Sequence, residues 1–206
     1  MCFSAQASFG ASALLGFIGI YALRKARAQE QPLAFVPLLF SLQQACEGVV
    51  WITHANPAYV TLTNIATYAF CFFAFFVWPI WIPFTILRLE TNPLRKKMLW
   101  PLLFLGSSVS GALMYCVIAH GIGLEISCSH IKYNIMLPGI LNTVGAVFYC
   151  LATILPFFIS SKRWMPFFGL LTCASVAITC YFYNTYFISI WCFFAALLSS
   201  IIACVI

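Results

Sequence analysis

The side chains best suited to chemistry in this sequence surround Glu47, which lies well inside a long apolar stretch. At about 100° per residue on a helix, Gln43, Glu47, Trp51 and His54 share one face, and Gln44 lies beside them. An ionisable side chain in such an apolar setting is costly and is a functional candidate by default. The pattern predicts a carboxyl that serves as a proton or cation partner of a bound solute, or as a general base on a metal-bound water.

Histidines and cysteines form a second set, with the ligand types that zinc and related transition metals prefer. The candidate metal ligands are His54, His120, His130, Cys128 and Cys2. Their spacing matches no HxxxH, HExxH or CxxC pattern, and only Cys116 and His120 share one helical turn as a ligand-type pair. The residue types therefore favour a metal site, with zinc as a candidate, whereas the spacing does not define one.

Two asparagines extend the polar set, because each lies near the start of an apolar stretch. The candidate substrate-binding residues are Gln43, Gln44, Trp51, Asn64 and Asn142. One alternative leaves Glu47 without a function of its own, as a protonated structural carboxyl bonded to Gln43 or Asn142. Both interpretations of Glu47 stay open on the sequence.

Membrane helices must position these residues, because the composition excludes the other classes of protein. Of 206 residues, 64% are hydrophobic and 7% are charged, whereas an ordinary soluble domain is about a quarter charged. A disordered chain needs the opposite composition. The chain is therefore expected to be an all-α, polytopic transmembrane helix bundle that forms a single domain over residues 1–206.

Seven stretches reach the roughly 20 apolar residues that a membrane-spanning helix needs. They cover about residues 4–23, 33–55, 58–87, 98–120, 138–160, 164–183 and 186–205. The long connection at residues 121–137 is predicted to be a loop. The last two spans are expected to form a tight hairpin, with a single re-entrant pair as the alternative. Eight of the ten cysteines fall inside spans, where Cys packs as a small apolar residue, and only Cys2 and Cys128 are placed to form a disulfide.

Basic residues set the predicted orientation. If the spans alternate in direction, one side of the membrane receives Arg24, Lys25, Arg27, Arg88, Arg95, Lys96, Lys97, Lys162 and Arg163. Because positive residues stay cytoplasmic, the N-terminus is predicted outside, the C-terminus inside, and the polar site in the outer half. This topology explains the net charge of +6 and disfavours nucleic acid as a partner. The lipid bilayer is the expected partner, and a homo-oligomer stays open.

Two short motifs carry a family resemblance. The opening Met1-Cys2-Phe3-Ser4-Ala5 and the run Gln43-Gln44 with Glu47-Gly48 and Trp51 resemble an uncharacterised family of small bacterial polytopic membrane proteins. The resemblance covers about the first 55 residues and implies no chemistry. It implies that Cys2, Ser4, Gln43, Gln44, Glu47 and Trp51 occupy motif positions, and that the protein resides in the bacterial inner membrane.

Three functions remain compatible with these patterns. The first is a protein that binds or transports an ion or small solute in the outer half of the bundle. The second is an intramembrane zinc-dependent hydrolase for a lipid or small molecule, in which His54, His120 and His130 or Cys128 hold the metal and Glu47 is the catalytic base. The third is a sensor or partner subunit without turnover. A retinal protein is excluded, because residues 186–206 contain no lysine for a Schiff base.

Overall fold

Helices account for most of the protein, as the composition predicts. The computed structural model describes residues 4–127, 130–135 and 139–206. The helices are α1 (Ala5–Lys25), α2 (Gln31–Ala34), α3 (Val36–Thr53), α4 (Val60–Phe72), α5 (Trp78–Leu89), α6 (Pro93–His120), α7 (Gly139–Ile159), α8 (Met165–Tyr183), α9 (Phe187–Ser199) and α10 (Ile202–Val205). The strands are β1 (Ile122–Ser127) and β2 (His130–Ile135). The prediction of an all-α helical bundle is confirmed, with one small hairpin added.

Five segments of the described chain are long and apolar enough to cross a membrane. They are Ala5–Lys25, Gln31–Thr53, Pro57–Leu89, Pro93–His120 and Met165–Cys204. The last segment is not one helix, because a short 3-10 turn (Asn184–Tyr186) separates α8 from α9, and these two helices pack against each other. The number of membrane crossings and their orientation stay predictions.

One end of the bundle gathers the basic turns. The turn after α5 is bonded to the turn after α7, since the Ser161 hydroxyl donates to Glu90 over 2.6 Å. The indole of Trp81 in α5 donates to the carbonyl of Pro32 in α2 over 2.9 Å, which brings the turn after α1 to the same place. All nine basic residues predicted to share a side lie in these turns or at the adjoining helix ends. We call this the basic end.

The opposite end carries the β-hairpin, and we call it the hairpin end. β1 and β2 pair antiparallel, with Glu125 opposite Lys132 and an ion pair of 3.3 Å between them. Alternate residues of β2 point into the bundle, so Ile131 and Tyr133 are buried. Residues 121–137, predicted as a loop, thus form strands over much of their length. The physical reason is the period-two alternation of apolar and polar residues in both segments, which suits a half-buried strand.

A widened turn interrupts the helix between α4 and α5. Phe73–Val77 forms a π-helical turn, in which the Trp78 N–H bonds to the carbonyl of Phe73. Pro79 follows directly and has no N–H to continue the ordinary ladder, so the wider turn accommodates it. The irregularity thus lies in the turn that precedes Pro79.

Side chains from neighbouring helices hold this π-helical turn. The Tyr149 hydroxyl of α7 donates to the carbonyl of Ala74 over 2.6 Å. The Ser110 hydroxyl of α6 donates to the carbonyl of Phe76 over 3.0 Å. Two carbonyl groups of the π-helical turn are therefore bonded to side chains of α6 and α7, which holds these helices against the turn.

Candidate functional site

Glu47 lies in the hairpin half of α3 and is almost completely buried, with 2% of its surface exposed. Its carboxyl accepts a hydrogen bond of 2.5 Å from the hydroxyl of Ser189 in the first turn of α9. Close packing of α1 on the other side of α3 leaves no room beside Gly48, where an added Cβ would lie 2.8 Å from the ring of Phe9. Glu47 is therefore enclosed between helices and does not face the outside of the bundle.

One turn deeper, α3 presents the two glutamines that the sequence singles out. Gln43 and Gln44 are both 0% exposed. The indole N–H of Trp78, at the start of α5, donates to the Gln43 side-chain carbonyl over 2.8 Å. The Trp78 ring also stacks on Phe40, with centroids 3.8 Å apart. These contacts hold Gln43 and Phe40 of α3 against α5.

Residues from three other elements complete the site. Tyr133 of β2 stacks on Phe70 of α4, with ring centroids 4.6 Å apart and planes 12° from parallel. Tyr133, Cys71 and Cys192 all lie close enough to Glu47 to interact with it electrostatically. We define the Glu47 cluster as Gln43, Gln44, Glu47, Cys71, Tyr133, Ser189 and Cys192.

Several polar atoms of this cluster have no hydrogen-bond partner among the described residues. They are Nε2 of Gln43, both amide atoms of Gln44 and the hydroxyl of Tyr133. An unsatisfied buried polar group costs about 1–3 kcal/mol. Such groups are expected to meet water or a ligand, so the cluster offers both donors and acceptors to a molecule that enters it.

A large cavity reaches the cluster from the side of α7 and α8. It measures about 840 Å³, and Tyr133 and Cys192 form part of its wall. At the hairpin end its wall includes Asn134, Asn184 and Thr185. Pockets that hold small molecules measure about 300–1,000 Å³ and are mostly apolar with a few polar groups. The large cavity fits that description in both size and lining.

A second, smaller cavity lies toward the basic end. It measures about 80 Å³, and its wall includes Leu33 and Met165. Tyr149, Trp191 and Cys192 line both cavities, so one layer of side chains separates them. The Tyr149 and Trp191 rings in this layer meet edge to face, with centroids 5.5 Å apart.

The remaining predicted substrate-binding residues do not join the cluster. Trp51 is half-buried and packs against the hydrophobic core. Asn64 is exposed on α4. Asn142 falls in the first turn of α7, but its side chain lies outside the described part of the structure. Of the five predicted residues, the structure thus places Gln43 and Gln44 beside Glu47.

The predicted metal ligands are dispersed as far as they are described. His54 and His120 are exposed at helix ends, and the ring of His120 bonds to the carbonyl of Cys116 over 3.2 Å. The ring of His130 stacks on Tyr186, with centroids 4.8 Å apart. Over residues 4–127, 130–135 and 139–206, no three His, Cys, Asp or Glu side chains group as a metal site. The zinc site predicted from the three histidines is therefore not supported, and Cys2 and Cys128 lie outside the described residues.

A second buried carboxylate, Glu90, has a different environment at the basic end. Glu90 is 1% exposed and accepts bonds from the N–H groups of Thr91, Asn92 and Ser161 and from the Ser161 hydroxyl, at 2.6–2.9 Å. Burial alone raises the pKa of Glu90, but these hydrogen bonds outweigh it and hold the pKa at about 2, below the ordinary 4.5. The two bonds from Ser161 join the turn after α7 to the turn after α5, so Glu90 is a structural clamp.

Sequence reasoning missed Tyr133, Ser189, Cys71 and Cys192. Tyr133 falls in a segment predicted as a loop, and the two cysteines were expected to act as apolar filler. The alternation around Tyr133 is the one local signal that points to an inward-facing side chain. Nothing local marks Ser189, because its partner Glu47 is far away in the sequence.

Comparison with known proteins identifies the family. No curated protein and no solved structure matches the chain. A family model described as "Family of unknown function (DUF6629)" matches residues 1–205. The match extends over nearly the whole chain, well beyond the first 55 residues on which the resemblance rests. The chain therefore belongs to the DUF6629 family.

Proposed function

We propose that this protein is an integral membrane protein that binds a small, largely apolar solute in the large cavity. The observation that carries the proposal is the cavity wall at Tyr133 and Cys192. Tyr133 stacks on Phe70 of α4, and Cys192 lies one turn after Ser189, the hydrogen-bond partner of Glu47, on the same face of α9. A ligand in the cavity can lay its apolar body against α7 and α8. Its polar group can then meet Tyr133, whose hydroxyl has no partner among the described residues, and the nearby Asn134.

The lining favours a ligand without a strong charge. Among the described residues, the cavity wall contains no Lys, Arg, Asp, Glu or His side chain. A fully charged group in this place would lack a compensating partner, which is costly in an apolar environment. Hydroxyl, amide or carbonyl groups suit Tyr133, Asn134 and Asn184 better.

We place the protein in the membrane with the basic end facing the cytoplasm. The common location of the nine basic residues supports this orientation, because positive residues stay on the cytoplasmic side. The packing of α8 against α9 supports two crossings for Met165–Cys204, which raises the five segments to six crossings. The shorter apolar helix within α7, Thr143–Ile159, supplies the seventh. The large cavity then opens in the outer half of the bundle, together with Glu47.

Transport is favoured over static binding by the small cavity. A solute in the large cavity is separated from the small one only by the layer of Tyr149, Trp191 and Cys192. Rotation of the Trp191 ring would connect the two. A path of this kind would lead from the hairpin end toward the basic end, past the polar cluster.

Native mass spectrometry of the protein released from detergent micelles tests the binding proposal. We expect a bound small molecule on the wild-type protein and on Gly111→Phe, and its loss from Gly145→Phe. Both glycines have open space where a side chain would start, but only Gly145 lines the cavity. The absence of a bound molecule, or equal retention by both variants, would overturn the proposal.

A Tyr133→Phe variant tests polar recognition. The Tyr133 hydroxyl has no protein partner among the described residues, so its removal should leave the free energy of unfolding unchanged. One lost hydrogen bond to the ligand is worth about 1 kcal/mol, which corresponds to about a fivefold loss of affinity. Unchanged affinity would separate Tyr133 from ligand recognition.

A further inference from the structure

Among the described residues, the large cavity opens along the side of the bundle. Val147, Leu151, Leu155 and Phe158 of α7 line the cavity and are also exposed at the surface. These residues form a continuous apolar strip from the interior of the cavity to the outer face of the bundle. The strip faces the surrounding lipid in the proposed orientation.

The shape of this opening follows from the way α7 and α8 meet. Near the basic end they are in close contact, because a Cβ added to Gly169 would lie 2.8 Å from the ring of Phe158. The rings of Phe157 and Phe168 stack in the same region, with centroids 6.4 Å apart. Toward the hairpin end the cavity lies between the two helices, with Cys180 on the α8 side. Among the described residues, the helices thus form a cleft that is closed near the basic end and wider toward the hairpin end.

The length of the cleft corresponds to one leaflet of a bilayer. From Val147 to Phe158 the helix rises about 16 Å at 1.5 Å per residue. The hydrocarbon core of a bilayer is about 30 Å thick, so one leaflet contributes about 15 Å. A single hydrocarbon chain that enters the cleft from the hairpin end can therefore remain at the depth it has in the membrane.

We propose that the cleft between α7 and α8 takes one acyl chain of a long-chain amphiphile from the leaflet at the hairpin end. The chain lies along the apolar strip of α7, and its polar head meets Asn134, Asn184 and Thr185. This proposal rests on the proposed function, since it names the class of solute that the large cavity binds. Because lipid tails are as apolar as the cleft, the head contacts supply the preference for a particular amphiphile.

Trp191 provides a native reporter of the acyl chain. It lines the large cavity and is 8% exposed, so a chain in the cleft can contact it while most of its surface is shielded from bulk lipid. Brominated chains quench tryptophan fluorescence on contact. The emission of Trp191 is the difference between the wild-type protein and Trp191→Phe. In brominated phosphatidylcholine vesicles, we expect this emission to be strongly quenched. The emission of Trp78, measured in the same way with Trp78→Phe, should not be quenched by the brominated lipid. Trp78 is buried and lines the small cavity, not the large one.

A second arm separates the two sources of the chain. Brominated free fatty acid is added to the protein in vesicles of unbrominated lipid. Quenching of Trp191 in the first arm alone identifies a phospholipid chain, and saturable quenching in the second identifies the free acid. Either result supports the proposal, and the absence of Trp191 quenching in both arms overturns it.

Blocking the cleft completes the test. Gly145→Phe should abolish the quenching of Trp191, whereas Gly111→Phe should preserve it. Quenching that persists at full strength in folded Gly145→Phe would overturn the cleft as the route, and the wild-type arms stay decisive if this variant does not fold. A bound molecule in native mass spectrometry without Trp191 quenching would leave the proposed function intact and refute the acyl chain alone.

Discussion

Replacement of Glu90 by Gln tests how strongly one carboxylate joins two turns at the basic end. Glu90 accepts four hydrogen bonds, and one of its oxygens accepts the Ser161 N–H. Gln keeps the shape of the side chain, but its amide nitrogen cannot accept that bond. The fall in the pKa of Glu90 from 4.5 to about 2 corresponds to about 3 kcal/mol of folding free energy at neutral pH.

The direction of the pH dependence follows from the sign of this shift. Because the folded pKa lies below the unfolded one, the carboxylate contributes fully above about pH 5. Its contribution is lost as the pH falls from about 4.5 through about 2. We expect Glu90→Gln to lower the free energy of unfolding by about 3 kcal/mol at neutral pH, with a difference that shrinks steadily below pH 5.

Unfolding in a non-ionic detergent, followed by tryptophan fluorescence over this pH range, measures the effect. Glu30→Gln is the matched control, because Glu30 lies at the same end and accepts a single 3.2 Å bond from the N–H of Arg27. The control should change stability by no more than about 0.5 kcal/mol, as surface substitutions usually do. A Glu90→Gln effect that is equal to the control, or constant with pH, would refute the clamp.

Two further substitutions test the packing and the site. Gly106→Ala should lower the free energy of unfolding by about 2 kcal/mol or more, because the added Cβ would lie 1.8 Å from a carbonyl oxygen of α5. Gly111→Ala meets open space and should raise the free energy of unfolding by up to about 1 kcal/mol. A similar response of the two variants in the same unfolding assay would contradict this. Ser189→Ala removes the donor to Glu47 and should cost about 1–2 kcal/mol, so unchanged stability would show that the 2.5 Å bond is not formed in detergent.

The class of fold and the central residue of the site are accessible from sequence because both depend on local chemistry. A lack of charge over long stretches predicts membrane helices whatever their partners are. A carboxyl in such a stretch needs enclosure, which is what α1, α3 and α9 give Glu47. The glutamines one turn away follow from the helical period alone. None of these conclusions requires knowledge of which helices are neighbours.

The rest of the site depends on contacts between distant segments. Tyr133 is brought beside Phe70 of α4 because β1 and β2 pair and lay one face on the bundle. The alternation in the sequence suits such a strand, but it does not show which helices the strand covers. Ser189 becomes a partner only through the packing of α9 on α3. The histidines illustrate the converse error, since residues of suitable type at one end of a bundle need not converge. Helix ends position His54 and His120 at the surface, where the His120 ring bonds to the carbonyl of Cys116 in its own helix.

Glu47 and Glu90 show why burial alone does not separate a functional acid from a structural one. Both are almost fully buried. Only Glu47 lies inside an apolar helix, so hydropathy singles out Glu47, whereas Glu90 lies in a turn at the end of α5. The number of hydrogen bonds that each carboxyl accepts separates the two. Glu90 accepts four bonds from its own protein, which leaves it little capacity for a ligand. Glu47 accepts a hydrogen bond from Ser189, and the amide and hydroxyl groups around it are unsatisfied among the described residues, with Tyr133 at the wall of the large cavity. An incomplete set of partners, more than the cost of burial, is therefore what distinguishes the Glu47 cluster, as the candidate ligand site, from the Glu90 clamp.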